Sequence, residues 1–480
     1  MSVMNQEQNA DDAVIKFCSL EMENFGCVEH GVFSMEEGGF SALKITGVYG
    51  QNGSGKSTLV NAFALLRLLL CGSGIDSVQD YIRSGQTFTS LKAEFTVDAG
   101  SGTKRFSYYV KIQKTEEVSG WAVGEEKITV FDANNLKNKH SLCYNAQDNA
   151  NPVTPVSAKN QLASVIGKIK MPGISEPIVT QVFLLTQKEI SRIHKTSYLF
   201  APDFKNIYIE YCRHNNGSIF YYILIMIAYA QNYFFVIKDS FVNGELIGKN
   251  TIPVMFPNQS AFNAGAQVYF PISTTEPTRV VEKEPGVFSK FIDKLNQLIA
   301  AVCPGTKLTA KEVPYYDGRP EPDTHIKPSY YEILTEKDGL KIPIRYESLG
   351  IKKLISLINV MAFAYGNKSV FLVIDEIDSC INELVLETFL KLFAGSANGQ
   401  LAFTSNNLYP LELLEKNECC FTTTQASDRY TRLKYVKPNN NLRSLYLSLA
   451  RQGGDEKNAH LFNPVTVENM QRIFDSVFEP

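Results

Sequence analysis

The sequence lacks an excess of charge of either sign. Its 480 residues include 47 basic and 50 acidic side chains, which gives a formal net charge of −3. Proteins that bind nucleic acid non-specifically usually carry a basic field, because contacts with phosphate supply most of that affinity. The composition therefore does not indicate DNA as a partner. It does not exclude a local basic surface that binds DNA.

Cysteine and histidine patterns of metal sites are also missing. The nine cysteines are an odd number, and no two of them have C-x-x-C spacing. This pattern favours reduced thiols in the cytoplasm over a disulfide framework. The six histidines show no H-N-H or H-x-E spacing, so we expect no nuclease centre in this chain.

The sequence also has little that indicates a membrane protein. Residues 1–17 (MSVMNQEQNADDAVIKF) are polar and acidic, so we expect no signal peptide. Ser218–Ile237 (SIFYYILIMIAYAQNYFFVI) is almost long enough to cross a bilayer, but Gln231 and Asn232 interrupt it. We expect a buried helix followed by a strand there, or part of a subunit interface, and no membrane contact.

What the sequence does contain is a phosphate-loop motif. VYGQNGSGKSTLVNAF, residues 48–63, matches G-x-x-x-x-G-K-[ST]. Glycines let backbone N–H groups approach phosphate oxygens closely, and Lys56 would reach the β- and γ-phosphates of ATP. The flanks predict a strand at Leu43–Tyr49 and a helix at Ser57–Leu70, which is the order that such a loop requires. The predicted ATP-binding residues are Gly50, Gln51, Asn52, Gly53, Ser54, Gly55, Lys56, Ser57 and Thr58.

A second motif lies far downstream. Ser369–Ile374 is an uninterrupted apolar run, typical of a strand covered on both faces, and it ends in Asp375 and Glu376. Ligands bind at the carboxyl ends of such strands. We expect Asp375 and Ser57 to hold Mg²⁺ and Glu376 to orient or deprotonate the attacking water. Lys56 is the second predicted catalytic residue and would act on the phosphates.

A third motif precedes this strand. Ser348 and Gly350 stand before a helical apolar pattern that runs from Ile351 to Met361. Ser348 is a predicted N-cap, so the helix dipole would face an anion. An S-x-G sequence before a helix is weak evidence alone, since ordinary caps look the same.

In this order, the three motifs resemble those of the ABC-type ATPase heads of the SMC, RecF and OLD group. They are most similar to the compact AAA-family ATPases of bacterial defence islands. The resemblance covers the chain up to about Asn135 and again from about Phe288. Its other elements are the first hairpin (Val14–Met35, with the Asn24–Phe25 pair), the antiparallel lobe (Thr89–Ile112), the D-loop (Asp375–Asn382) and the switch strand (Gln400–Asn407).

The resemblance implies an α/β fold. The expected architecture is an ABC-type P-loop ATPase head, with a mixed central sheet and an N-terminal antiparallel β lobe. Residues 1–137 would form its first half and 287–480 its second half. Residues 138–286 show no sustained heptads and contain Pro and Gly, so we expect a compact, mainly helical insertion that contacts protein.

The resemblance also implies roles for particular residues. In that family the signature serine meets the γ-phosphate held by another subunit, so Ser348 and Gly350 would complete the site of a partner copy. Asn406 stands where a histidine usually senses the γ-phosphate, and Asn382–Glu383 replaces a His-Pro pair. Because asparagine donates a hydrogen bond but cannot ionise, we expect slow hydrolysis. Gln187 is the candidate Q-loop residue, although an exposed helix residue explains it as well.

The resemblance to defence ATPases implies a role as sensor and scaffold in anti-phage defence. As in PARIS-type systems, a homodimer or larger oligomer would control a separately encoded effector, a nuclease or toxin, and respond to a phage-encoded trigger protein. The alternative is a RecF- or SMC-like ATPase that clamps DNA for repair or chromosome maintenance. A membrane transporter ATPase is disfavoured, because transporter heads lack a central insertion.

Overall fold

The computed structural model describes residues 13–37, 41–75, 81–100, 102–115, 120–132, 135–166, 176–213, 215, 217–238, 251–252, 272–281, 286–315, 327–433, 441–452 and 467–478. Most of the N-terminal segment 1–17 and parts of the predicted insertion lie outside the described residues.

The helices and strands are labelled in chain order. The strands are β1 (Val14–Phe25), β2 (Val28–Ser34), β3 (Glu36–Glu37), β4 (Ser41–Ala42), β5 (Ile45–Tyr49), β6 (Phe88–Asp98), β7 (Thr103–Lys114), β8 (Trp121–Asp132), β9 (Asn135–Asn145), β10 (Val153–Thr154), β11 (Phe234–Ile237), β12 (Thr251–Ile252), β13 (Ile272–Ser273), β14 (Thr278–Val280), β15 (Thr306–Glu312), β16 (Ser329–Lys337), β17 (Leu340–Pro343), β18 (Phe371–Ile374), β19 (Gln400–Thr404), β20 (Cys419–Thr422) and β21 (Tyr430–Thr431). The α-helices are α1 (Lys56–Leu70), α2 (Val156–Ile166), α3 (Glu176–Ile193), α4 (Pro202–Cys212), α5 (Ile219–Asn232), α6 (Val287–Val302), α7 (Leu349–Gly366), α8 (Glu383–Ser396), α9 (Leu442–Gln452) and α10 (Val467–Phe478).

A central sheet organises the molecule. Among the described residues its strand order is β11-β18-β19-β5-β20-β21, parallel throughout except for β21. Side chains of β18 alternate between two cores, with Phe371 and Val373 on one face and Leu372 and Ile374 on the other. The strand predicted at the apolar run 369–374 is therefore present and is covered on both faces.

Helix α1 joins the central sheet to a second, antiparallel sheet. The second sheet has the strand order β10-β9-β8-β7-β6-β1-β2. The ring of Phe63 in α1 lies 5.1 Å from the ring of Phe17 in β1 and 5.4 Å from that of Phe371 in β18. Edge contacts of this kind between aromatic rings are favourable and fix the relative position of the layers. The predicted mixed α/β class with an N-terminal antiparallel lobe is confirmed.

Strands from the predicted insertion at residues 138–286 take part in both large sheets in the described part of the chain. Strand β9 pairs with β8 in the antiparallel sheet, and β11 pairs with β18 in the central sheet. Helix α5 packs on α1, where Arg67 Nε donates to the Ala230 carbonyl at 3.0 Å. The apolar run Phe234–Ile237 thus completes the central sheet, while the domain boundaries stay a prediction. The prediction of a helix followed by a strand at 218–237 is confirmed.

A smaller core lies beside the start of α7. Strands β14, β15, β16 and β17 form an antiparallel sheet, and helix α6 packs against β15. Ile344 and Ile355 extend this core on either side of Ser348, with 3% and 1% of their surface exposed. The first turns of α7 are thereby anchored in the body of the protein.

One described helix is long and apolar enough to cross a membrane by length and composition. It is α7, and 56% of its residues are buried inside the protein. Core helices of proteins that never meet a bilayer have the same composition, so this is weak evidence for a membrane span.

Candidate nucleotide site

The loop between β5 and α1 has the backbone geometry of an anion site. Gly53 and Gly55 adopt φ values of 77° and 105°, in the left-handed region that favours glycine. Gly55 is the N-cap of α1, no side chain of the described residues caps that end, and the first turn contains no acidic residue. The first N–H groups of α1 and its dipole are thus available to an anion such as a phosphate.

Lys56 lies across this loop. Its Nζ donates to the carbonyls of Gly50 at 2.7 Å and Gln51 at 3.3 Å. Burial lowers the pKa of Lys56 from its usual range, while the carboxylates of Glu376, Asp375 and Asp378 act in the opposite direction. The lysine is therefore close enough to the end of β18 for the acids there to influence its charge.

Strands β20 and β21 hold the loop from the side. The hydroxyls of Thr422 and Ser54 share a hydrogen bond of 2.5 Å, and the Tyr430 hydroxyl donates to the Gly55 carbonyl at 2.9 Å. A methyl group added at Gly50 would lie 1.7 Å from Thr422 Oγ1. The loop therefore needs glycine at position 50 for close approach to β20.

Asp375 and Glu376 follow β18 at the same edge of the sheet. Asp375 is 7% exposed and its Oδ1 accepts from the hydroxyl of Thr404 at 2.5 Å. The same Thr404 Oγ1 accepts from the N–H of Glu376 at 2.8 Å. Glu376 has φ 45°, which costs a residue other than glycine about 1–2 kcal/mol. The hydrogen bond to the Glu376 N–H offsets this cost, and the hydrogen bond to Asp375 Oδ1 fixes the direction of that carboxylate.

The segment after β19 contacts the same acids. Asn406 Nδ2 donates to Glu376 Oε1 at 3.1 Å. The N–H groups of Asn406 and Asn407 donate to the Asp378 carboxylate at 3.3 and 3.0 Å. The structure thus brings the predicted switch residue Asn406 into contact with the predicted catalytic residue Glu376.

Ser348 and Gly350 lie at the start of α7, on the surface. Ser348 is exposed and its Oγ accepts from the N–H of Ile351 at 3.3 Å, so the predicted N-cap is confirmed. A methyl group added at Gly350 would lie 2.8 Å from the carbonyl oxygen of Cys380. The described hydrogen bonds of Ser348 stay within its own segment, residues 347–352.

Gln187 is buried, and it has no described hydrogen bond with the residues above. It lies within helix α3, is 2% exposed and has its amide 3.5 Å from the hydroxyl of Ser191. The assignment of Gln187 to the Q-loop stays a prediction. The alternative of an exposed helix residue is wrong, because the helix turns Gln187 toward the core.

The donor atoms near the loop suit Mg²⁺. Magnesium prefers oxygen ligands, and Ser57 offers an exposed hydroxyl while Asp375 offers a carboxylate. Thr404 donates to only one of the two carboxylate oxygens of Asp375 in the described contacts. The chemistry of these groups therefore fits a magnesium ion bound with a triphosphate.

Sequence reasoning missed three residues of the site. Thr404 ends β19 between the two acids, Tyr430 contacts the loop, and Lys353 of α7 donates to the Glu376 carbonyl at 2.6 Å. Thr404 stands at the end of a short apolar run that predicts a buried strand, so the sequence could have indicated a position at the edge of the sheet. Nothing in the sequence indicates that Tyr430 or Lys353 lies near the site.

The phosphate loop and the antiparallel sheet fall within a known family pattern. A family model described as an AAA domain matches residues 19–196. No curated protein matches the sequence.

Three solved structures are similar to this chain at low identity. The Smc head domain with a coiled coil and joint from Pyrococcus yayanosii is 11% identical, with a TM-score of 0.41, 90% of this chain covered and 99% of that one. The SMC head domain from Thermotoga maritima is 12% identical, with a TM-score of 0.36 and coverage of 87% and 99%. The recombination mediator protein RecF with ATP is 12% identical, with a TM-score of 0.35 and coverage of 83% and 95%.

Proposed function

We propose that this protein binds ATP at the loop 50–58 and hydrolyses it. The observation that carries this proposal is the convergence of three neighbouring parallel strands at one sheet edge. Strand β5 leads into the phosphate loop, β19 ends at Thr404, and β18 ends at Asp375 and Glu376. This arrangement supports phosphoryl transfer from ATP to water, because it combines a phosphate cradle with fixed carboxylates.

Each residue then has a defined task. The loop N–H groups and Lys56 hold the phosphates, and Ser57 and Asp375 would hold Mg²⁺, which neutralises charge on the β- and γ-phosphates. Glu376 orients the attacking water or accepts its proton. Asn406 holds the Glu376 carboxylate at 3.1 Å, and because it is neutral it adds no charge to the transition state. We therefore propose slow turnover.

We further propose that a second copy of the chain completes each ATP site. Ser348 is at the uncovered start of α7, and Leu349 and Tyr346 beside it are 63% and 73% exposed. Large apolar side chains on a surface are typical of contacts with another molecule. In a symmetric dimer, Ser348 and Gly350 of one copy would face the loop of the other, so ATP would hold the two copies together.

The substitution Lys56→Ala tests the binding site. Loss of the ammonium removes charge-assisted hydrogen bonds to phosphate, so the affinity for a fluorescent ATP analogue should fall roughly 10- to 100-fold. The surface variant Lys391→Met, whose side chain is 62% exposed, serves as the control and should bind as the wild type does. Equal binding by Lys56→Ala would refute the proposed site.

The biological role that we propose is an ATP-driven scaffold, in the cytoplasm, for a protein partner in anti-phage defence. The formal charge of −3 supports a protein partner over DNA. The competing role is a RecF- or SMC-like clamp on DNA. Purification of the tagged chain with its neighbouring gene products at low salt distinguishes them. A stable protein partner supports the scaffold, whereas ATP-dependent DNA binding that weakens steeply with salt supports the clamp.

A further inference from the structure

Helix α7 contains a buried lysine that contacts the segment of the predicted catalytic residue. Lys353 is 3% exposed, and its Nζ donates to the main-chain carbonyl of Glu376 at 2.6 Å. Lysine is almost never buried this deeply without partners, because an ammonium group loses its hydration there. Burial of Lys353 therefore depends on acceptors such as the Glu376 carbonyl.

Glu376 is held from three directions. Its N–H donates to Thr404, its carboxylate accepts from Asn406, and its carbonyl accepts from Lys353. With φ at 45°, the backbone of Glu376 is in a region that residues with a Cβ adopt only when the surroundings enforce it. Of these three contacts, the one from Lys353 comes from the helix that begins just after Ser348.

The first turn of α7 also touches the end of the same segment. Gly350 lies so close to the Cys380 carbonyl that an added methyl group would be 2.8 Å from its oxygen. Cys380, like Glu376, has a positive φ, here 61°. The residues 376–380 are therefore in contact with α7 near both of their ends.

We infer that Lys353 is a positioning residue, which holds Glu376 in place and links it to the start of α7. This inference rests on the proposed function. Ser348 and Gly350 would meet ATP bound by the second copy, whereas Glu376 serves the ATP bound by its own copy. Through Lys353, closure on one ATP molecule adjusts the carboxylate at the other.

The test compares Lys353→Met, Lys353→Arg and Glu376→Gln with the wild type. Methionine keeps the length of the side chain and removes the donor, while arginine keeps a charged donor. ATP affinity, turnover number, melting temperature and the amount of ATP-dependent dimer are measured for each variant. We expect Lys353→Met to bind ATP within about threefold of the wild type and to hydrolyse it roughly 10- to 100-fold more slowly. Like Glu376→Gln, it should accumulate the ATP-bound dimer, and Lys353→Arg should recover part of the turnover.

The variant that combines Lys353→Met with Glu376→Gln sharpens the test. Because both changes act on one group, the combination should be no slower than Glu376→Gln alone. Normal turnover in Lys353→Met, or loss of ATP binding in step with a lower melting temperature and no recovery in Lys353→Arg, overturns the inference and leaves the proposed function intact. A wild-type protein that binds no ATP overturns both.

Discussion

At the scale of single residues, hydroxyl groups at strand ends fix the acids of the site. Thr404 is the central example, since one hydroxyl donates to the Asp375 carboxylate and accepts from the N–H of Glu376. Both partners are at the edge where the phosphate loop begins. A small neutral side chain thus sets the positions of the proposed magnesium ligand and of the proposed catalytic carboxylate.

The substitution Thr404→Val removes this hydroxyl while the shape of the side chain is kept. The Asp375 carboxylate then loses a donor and the Glu376 N–H loses an acceptor in a buried place. We expect the free energy of unfolding to fall by about 1–3 kcal/mol and turnover to fall roughly tenfold or more. Chemical denaturation and a steady-state ATPase assay measure the two effects. Thr404→Ser, which keeps the hydroxyl, is the control, and a Val variant as active as this control would contradict the assigned role.

Single residues also show what can be predicted from the sequence. Lys56, Asp375 and Glu376 were predictable because each stands in a motif whose spacing has a chemical reason. The structure brings them to one edge of the sheet, as the motifs led us to expect. Gln187 had no such motif around it, and the burial of its helix decided its position.

At the scale of elements, hydrogen bonds to a buried glutamate attach a neighbouring segment to the antiparallel sheet. Glu126 of β8 is 1% exposed and accepts hydrogen bonds from the hydroxyls of Tyr108 and Ser197 and from the N–H groups of Tyr198 and Leu199. Burial raises the pKa of Glu126, and the four donors act against that shift. The segment that joins α3 to α4 is thereby fastened to the sheet.

We expect Glu126→Ala to destabilise the protein by several kcal/mol, because four buried donors lose their acceptor at about 1–3 kcal/mol for each unsatisfied group, less what relaxation recovers. The neighbouring Glu125, whose side chain is 44% exposed and contacts Lys111, provides the matched control. Glu125→Ala should change stability by less than about 1 kcal/mol. Similar unfolding midpoints in urea for the two variants would contradict the role given to Glu126.

Elements were predictable where their apolar pattern was distinct. The strand before the phosphate loop, helix α1 and strand β18 lie within two residues of their expected bounds. Strand β11 shows what the sequence could not predict. Its run of four apolar residues indicates a strand but does not indicate which sheet that strand joins. Its pairing with β18 depends on residues 137 positions later in the sequence, beginning with Phe234 opposite Phe371.

At the scale of the whole molecule, the three motifs differ in which of their residues contact one another. The phosphate loop and the acids after β18 share a sheet edge. Burial lowers the pKa of Lys56, and the carboxylates of those acids act against this shift. Ser348 and Leu349 at the start of α7 are exposed, and the described hydrogen bonds of Ser348 are local. Gly350 and Lys353, in contrast, contact residues 376–380 of the same copy. The exposure of Ser348 supports our proposal that Ser348 and Gly350 of one copy complete the ATP site of a second copy.

Mixing two inactive variants tests this claim most directly. Lys56→Ala destroys the loop of its own copy, and Ser348→Arg destroys the contribution of its copy to the other pocket. A mixed dimer would keep one intact pocket, built from the loop of the Ser348→Arg copy and the Ser348 of the Lys56→Ala copy. We expect each variant alone to hydrolyse almost no ATP and an equal mixture to recover roughly a quarter of the wild-type rate. A mixture as inactive as its components, or a Ser348→Arg protein with normal turnover, would contradict the shared site.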